Sequence, residues 1–390
     1  MSWIEFSGIV VAIVIYGTLL AMRSRFRDEK TSFVPAGAHR LPSVAVLVPV
    51  TGGSADMEEC LGSIVCQDYP AYEVVFITRG MEDEAVPVIG RVIDRSAGPG
   101  VVRHVISPPA RTCGQKNQNL LSGIETLGPD VEVLVFFDGS HVAPPHYLGA
   151  IVGPIAKGEA EIATSYHHIL PQDGKISSLG RAITVLCLYV LQGIPRISQP
   201  WGGSTAISRG LFERLEVAEV WAQNVVDDVS LALLLKESGT VIATVPAAAV
   251  STRPGENSFS DWQSWLVRQL LYLKFCFPGS WAAGGLVLYL LTGLILIEFF
   301  RVVKMGAGED SFGRGLGALL FLMLLSGIGL ALRKMHPKPG SPLRWLAAFY
   351  ANIFMAGWCH VRTLFAREIR WRGIVYRVGP GGKVSGIRRE

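Results

Sequence analysis

Asp138 stands where an apolar run stops, in Phe136-Phe137-Asp138-Gly139-Ser140-His141. A carboxylate delivered by a strand end commonly holds a divalent cation, a hard ion that prefers oxygen ligands; its ordinary alternative is an Asx-turn or an N-cap. Two large apolar residues lead straight to the acid and favour the first reading. Asp227 and Asp228 open an amphipathic stretch, VSLALLLKESG. Paired acids there cap a helix, or they supply a general base below a cleft. Lys116, in Gly114-Gln115-Lys116-Asn117-Gln118-Asn119-Leu120, sits beside a predicted helix N-terminus, a natural place for a phosphate. Asp83, in Glu82-Asp83-Glu84, follows a strand. Such acids suit the solvated first turn of a helix, or accept from a base or ribose. Trp201-Gly202-Gly203-Ser204-Thr205 is a glycine-rich turn before a strand-like stretch, Ala206-Ile207-Ser208. Asp261-Trp262-Gln263-Ser264-Trp265-Leu266-Val267-Arg268-Gln269 adds aromatic rings and an arginine just before an apolar run, where they often only anchor a membrane interface. The first strand ends in Pro49-Val50-Thr51-Gly52-Gly53, which is neither GxGxxG nor a Walker loop.

The elements that position these groups read as α/β. Residues 43–50, 72–78, 101–106 and 132–137 are short, valine-rich strands, and 55–67, 84–95 and 116–127 have helical spacing. The first run reads as a strand of a parallel sheet buried on both faces. Alternation of this kind predicts a doubly wound sheet, with ligands at the carboxyl ends of the strands. The acids and the glycine turns fall there.

Composition places this unit against a membrane. Of the 390 residues 49% are hydrophobic and only 17% charged, against about 25% in a soluble domain. The mean hydropathy is +0.36. The excess sits in runs at 3–22, 283–300 and 315–332, each near the roughly 18–20 residues a spanning helix needs. A weaker run at 345–365 is interrupted by Asn352, His360 and Arg362. The first run reads as an anchor, since no basic region precedes it and Arg23, Arg25 and Arg27 follow it. By the positive-inside rule those residues face the cytosol. The expected plan is an N-terminal transmembrane helix (1–22), a basic linker (23–40), a cytosolic domain with interfacial helices at 179–197 and 262–277 (41–280), two or three membrane helices (281–365) and a basic tail (366–390). A full span at 345–365 would put that arginine-rich tail outside, against the rule; an interfacial segment would keep it inside. Six cysteines show neither CxxC nor zinc spacing and read as unpaired. A net charge of +4 is too small to argue for nucleic acid, and its excess flanks the apolar runs.

In their order, these motifs resemble the family 2 type of inverting glycosyltransferase, with a GT-A fold and membrane helices on both sides. Within that group the chain looks most like ceramide glucosyltransferase and its bacterial relatives, over about residues 41–383. Asp83 matches the family's nucleotide-binding acid. Lys116-Asn117-Gln118-Asn119-Leu120 resembles the K-x-N-N-L element, and Asp138-Gly139-Ser140 the second-aspartate motif. Gly202-Gly203-Ser204 resembles G-x-S, and Asp227-Asp228 matches Glu-Asp, giving Asp228 the base position. Trp265-Leu266-Val267-Arg268-Gln269 keeps only the arginine of (Q/R)xxRW, with Trp265 or Trp262 available in place of the missing tryptophan. Ile369-Arg370-Trp371-Arg372-Gly373-Ile374-Val375-Tyr376-Arg377 resembles the family's WR-G-x-YR tail.

The resemblance implies transfer of one sugar from a nucleotide sugar, UDP-glucose or similar, to a lipid such as ceramide. It implies Asp228 and Asp227 as catalytic groups. Asp83, Lys116, Asn119, Asp138, Arg268 and Trp265 would bind the donor, with Trp201, Gly203 and Ser204 lining the acceptor loop. Asp138 would hold Mg²⁺ or Mn²⁺. The catalytic domain would face the cytoplasm, on a bacterial inner membrane or its equivalent. Two alternatives stay open: a processive polysaccharide synthase of the same fold, and an inactive membrane-attached binding protein.

Overall fold

A computed structural model describes residues 3–28, 41–96, 100–194, 197–255 and 257–390. Much of the expected linker, 29–40, lies outside the described residues, as do 195–196 within one expected interfacial helix. After helix α1 (Trp3–Asp28) the chain alternates as its valine runs demand: β1 (Val44–Pro49), α2 (Met57–Val65), β2 (Tyr72–Thr78), α3 (Val86–Asp94), β3 (Val101–Ile106), α4 (Gln115–Ile124), β4 (Val133–Phe137) and α5 (Tyr147–Ala156). In β1 the period-2 alternation feeds two cores. Val44, Val46 and Val48 pack with α2, α3 and α5. Ala45 and Leu47 pack with Leu120 of α4 and with helices that come later in the chain.

There follow β5 (Ile162–Thr164), β6 (His167–Ile169), α6 (Ile176–Leu191), β7 (Ser204–Ser208), α7 (Arg209–Arg214), α8 (Val217–Trp221), α9 (Asp227–Ser238), β8 (Ala243–Thr244) and β9 (Val250–Thr252). The main sheet has the order β3-β2-β1-β4-β7-β5-β8. β1 to β4 run parallel, as expected. β7 is antiparallel to both β4 and β5, so the sheet is mixed and not wholly parallel. The order reverses at β1, between β2 and β4. The crevice at that switch point opens where β1, ending at Pro49, leads to Thr51 and β4, ending at Phe137, leads to Asp138.

Four long helices come next or last: α10 (Phe259–Cys276), α11 (Pro278–Gly306), α12 (Phe312–Met335) and α13 (Pro342–Thr363). Ser258 and Asp261 form a reciprocal capping box that fixes the start of α10. By length and composition α11 and α12 can cross a membrane. Leu286, Leu290, Ile297 and Phe300 of α11 are exposed, a surface that suits lipid. α12 packs on α1 through Phe321 and Leu325, in one core with Ile183 of α6 and Trp345 and Phe349 of α13. The expected interfacial helix at 179–197 is thus largely a packed helix, α6, with apolar side chains exposed at Leu188 and Leu191.

Residues 366–390 are not a loose tail. They form an antiparallel sheet, β10 (Glu368–Trp371), β11 (Ile374–Val378) and β12 (Val384–Arg389). Its first turn places Arg372 at φ 51° and Gly373 at φ 70°, the two positive angles of a type I′ hairpin. The sheet docks on the α/β unit: the Tyr376 hydroxyl accepts from the Gln115 amide (3.1 Å), Val225 N donates to Gly382 O (3.0 Å), and Val384 N donates to Gln223 O (2.8 Å). The tail therefore lies on the same side as residues 41–280. At the preceding junction Lys274 donates to the carbonyls of Thr363, Leu364 and Ala366, closing the C-terminus of α13.

Candidate active site

Lys116, in the first turn of α4, is the centre of the site. Its Nζ lies 2.8 Å from Asp138 Oδ1 and 3.0 Å from Asp227 Oδ2, and donates to Gly202 O at 3.1 Å. One cation thus joins the end of β4, the start of α9 and the glycine turn before β7. Burial disfavours its charge, but the three nearby aspartates override this and hold its pKa above the usual lysine range. Asp138 is the reciprocal case. Burial would raise its pKa, yet the Lys116 charge and His141 hold it well below the usual carboxylate range.

Asp228 differs. It has no cation of its own: Oδ2 accepts from Gly202 N (3.1 Å) and Oδ1 from Val229 N (2.7 Å). Burial, and then repulsion from Asp227, push its pKa up to about 7. Three carboxylates share one lysine, and the proton settles on the acid that the lysine does not touch. A half-buried carboxylate with such a pKa is a general base suited to neutral pH.

Gly202 is the tightest point. A Cβ there would lie 2.2 Å from Asp227 Oδ2 and 2.9 Å from Lys116 Nζ. Both atoms are held in the ion pair and have no free direction to move. Gly202→Ala is expected to fold but to lose about 10²-fold in transfer rate, by displacing the acids about 1 Å. Initial rates on protein of wild-type thermal stability check this; a rate within about twofold of wild type would contradict it.

A wall of rings borders the acids. Trp201 stacks on His167 (centroids 4.4 Å, 11°) and lies 4.9 Å from His141 and 4.8 Å from Tyr166. Thr252 Oγ1 is 2.7 Å from Nδ1 of both His141 and His167. The other nitrogen of His141, Nε2, is buried without a hydrogen-bond partner, 3.6 Å from Asp138 Oδ2. Sequence reasoning missed His141, His167 and Tyr166. The spacing Asp138-x-x-His141 was the visible signal for the first. Tyr166 is sensed only in three dimensions, where Asp228 acts on its hydroxyl.

The other expected residues fall into two groups. Arg268 and Trp265 share one face of α10, Arg268 over the Trp371 ring of the C-terminal sheet and Trp265 under Arg181 of α6. Asp83 stands apart, at the ends of β1 and β2. Its carboxylate accepts from Thr51 Oγ1 (2.8 Å), Gly52 N (2.8 Å) and Ala85 N (3.0 Å), and so shapes the mouth of the crevice. Asn119 and Ser204 are buried behind the acids. Asn119 accepts from Gln115 Nε2 (2.9 Å), and Ser204 Oγ pairs with the Tyr147 hydroxyl (3.0 Å). Gly203 lies against the Trp201 ring, with its carbonyl 3.4 Å from Asp138 N. Trp262 is a core residue: it is fully buried and its Nε1 donates to Thr184 Oγ1 (3.2 Å).

The donor set for a cation is small. Among the described residues no three possible ligands cluster. Asp138 Oδ2 and the unpartnered His141 Nε2 are the pair on offer, a carboxylate beside an imidazole. That pair fits Mg²⁺ or Mn²⁺, which commonly takes few protein ligands and completes its shell with phosphate oxygens and water.

A sheet with its switch point at an acid cluster is the plan of an α/β protein that takes its ligand at the strand ends. The family model described as glycosyl transferase family 21 matches residues 4–384, so the chain belongs to that family and is a glycosyltransferase. A ceramide glucosyltransferase from Komagataella phaffii (strain GS115 / ATCC 20864) is 31% identical over 85 residues, 22% of this chain and 16% of that protein. Among solved structures, the mannosyltransferase PcManGT from Pyrobaculum calidifontis, in complex with GDP-Man and Mn²⁺, aligns over 93% of this chain and 99% of its own at 18% identity and a TM-score of 0.47. Glucosyl-3-phosphoglycerate synthase from Mycobacterium tuberculosis, in complex with Mn²⁺, UDP and glucosyl-3-phosphoglycerate, aligns over 60% of this chain and 79% of its own at 16% identity and a TM-score of 0.38. At these levels the fold rests on the strand order given above.

Proposed function

We propose that the chain is an inverting hexosyltransferase of GT-A type that moves one sugar from a nucleotide sugar, UDP-glucose or similar, to the hydroxyl of a membrane lipid such as ceramide. The observation that carries this reading is Asp228, raised to about 7 beside a lysine that pairs with Asp138 and Asp227. Asp228 takes the acceptor proton as the oxygen attacks the anomeric carbon. Lys116 holds the acids in register and adds positive charge near the departing diphosphate. Asp83 and the β1 end receive the nucleoside. A divalent cation bound by Asp138 and His141 would neutralise the charge building on the leaving group.

α1, α11 and α12 cross the bilayer in this reading, α13 lies on the inner side, and the α/β unit and the C-terminal sheet both face the cytoplasm. What supports it is the contact of that sheet with the α/β unit and the exposed apolar surface of α11. The arginines near the apolar runs then meet anionic headgroups.

The test incubates purified protein in nanodiscs with radiolabelled UDP-sugars, GDP-mannose and candidate lipids, with mass analysis of the product. A single sugar on a lipid is expected. A ladder of sugars would instead identify a processive synthase, and no consumption of any donor would leave an inactive binding protein.

A further inference from the structure

Arg181, on α6, has chemistry that the site above leaves unused. It is half-buried between α6 and α10. Its guanidinium carbon lies 5.1 Å from the centroid of the Trp265 ring. One terminal nitrogen donates to Asn257 Oδ1 at 3.2 Å, while the buried Nε has no hydrogen-bond partner. Asn257 is neutral and fixes the plane of the group without cancelling its charge. Among the described residues Arg181 makes no ion pair, although every exposed arginine pair on α3, α7 and β10 finds a glutamate.

A second guanidinium stands near it in the same condition. Arg268 follows Trp265 by one helical turn on α10, lies 5.9 Å from the centroid of the Trp371 ring and makes no ion pair among the described residues. Burial, and then the charge of Arg268, lower the pKa of Arg181 to about 10, against the opposing charge of Asp261. The charge of Arg181 also reaches His167, in the ring wall beside Asp138. The α6–α10 interface therefore carries two guanidiniums, each laid on an indole and neither in an ion pair among the described residues, with Asp261 in the first turn of α10 as the acid whose charge reaches Arg181. Unpaired buried charge is unfavourable. Two guanidiniums facing a cleft are the donor set that fits phosphate oxygens, which they take in bidentate fashion.

We propose that Arg181 binds phosphate in the substrate, closing with Arg268 on the diphosphate of the nucleotide sugar from the side opposite Lys116. The proposal rests on the donor class given under Proposed function. It makes α6 part of the donor site, although none of the motifs described above lies on that helix.

Calorimetry on the nanodisc-embedded full chain tests it, with UDP, GDP and the phosphate-free nucleosides uridine and guanosine in Mn²⁺. Arg181→Gln is expected to weaken the preferred diphosphate about tenfold or more, and the matching nucleoside by less than about twofold. Arg181→Lys, which keeps the charge but not the fork, is expected to fall between, with unchanged thermal stability. Diphosphate binding by Arg181→Gln equal to wild type would overturn the clamp while leaving the donor reading intact. A wild type that binds no nucleoside diphosphate would overturn both. Unchanged UDP and GDP affinity, together with loss in Arg181→Gln of a stabilisation by phosphatidic acid over phosphatidylcholine, would assign the pair to lipid phosphate and also overturn the proposal.

Discussion

Replacing Asp228 with asparagine is expected to lower sugar transfer by about 10²–10⁴-fold while leaving donor binding and folding near wild type. The amide keeps an oxygen for the Gly202 amide and nearly the same volume, so the turn is preserved. What disappears is the proton acceptor. The wild-type rate is expected to rise with pH through about 7, because the carboxyl is protonated below that value and cannot accept the acceptor's proton. Burial and the Asp227 charge together set that limb. Asp227→Asn removes the like charge, so the limb is expected to move to lower pH. The measurement is kcat against pH from about 5 to 9 for the wild type and both variants. An Asp228→Asn enzyme that transfers at the wild-type rate would remove Asp228 from the base position.

Lys116→Met has the second large effect. It leaves Asp138, Asp227 and Asp228 facing one another without the cation that joins them. Breaking a buried pair in this way typically costs about 3–5 kcal/mol, because the remaining acids stay desolvated. Thermal unfolding of the solubilised variant is expected well below wild type. The sign of its pH effect is opposite to that of Asp227→Asn. Lys116 holds the Asp228 pKa down, so its loss raises that pKa and moves the acidic limb above 7. The two variants therefore shift one limb in opposite directions, which a general loss of structure would not do. A Lys116→Met enzyme whose limb stays at the wild-type position would show that the lysine does not act on the base.

β1, β2 and β4 were legible because burial on both faces forces near-continuous apolar runs, and the half-exposed edge strand β3 still carries three valines; β2 and β3 fall on their expected boundaries, and β1 and β4 within two residues. Asp138, Asp227, Asp228 and Lys116 were legible because strand ends and helix starts announce themselves with polar residues. Their joining was not, since Lys116 and Asp227 are far apart in sequence and their elements meet through contacts such as Gly114 N to Asn224 O (2.8 Å) and Asn117 Nδ2 to Asn224 O (3.0 Å). The antiparallel entry of β7 was hidden for a related reason: its five residues look the same in either direction. Asn119 and Ser204 carry motif identity, but in the fold they serve Gln115 and Tyr147. The tail was read by its charge and its WR-G-x-YR motif, neither of which marks strands. In β10 exposed Arg370 follows buried Ile369, while β11 buries Ile374, Val375 and Tyr376 in succession and exposes Arg377.

The docking of that sheet also sets an order in time. Residues 223–225 lead directly into the catalytic pair, and two of their backbone partners, Gly382 and Val384, are translated after α11, α12 and α13. A nascent chain still engaged in membrane insertion therefore holds the acids but lacks the strands that brace them. Completion of the site is coupled to completion of the membrane topology. A ribosome-bound intermediate arrested near residue 365 would carry Asp83, Asp138, Asp227 and Asp228 and still lack Gly382 and Val384, the partners of residues 223–225.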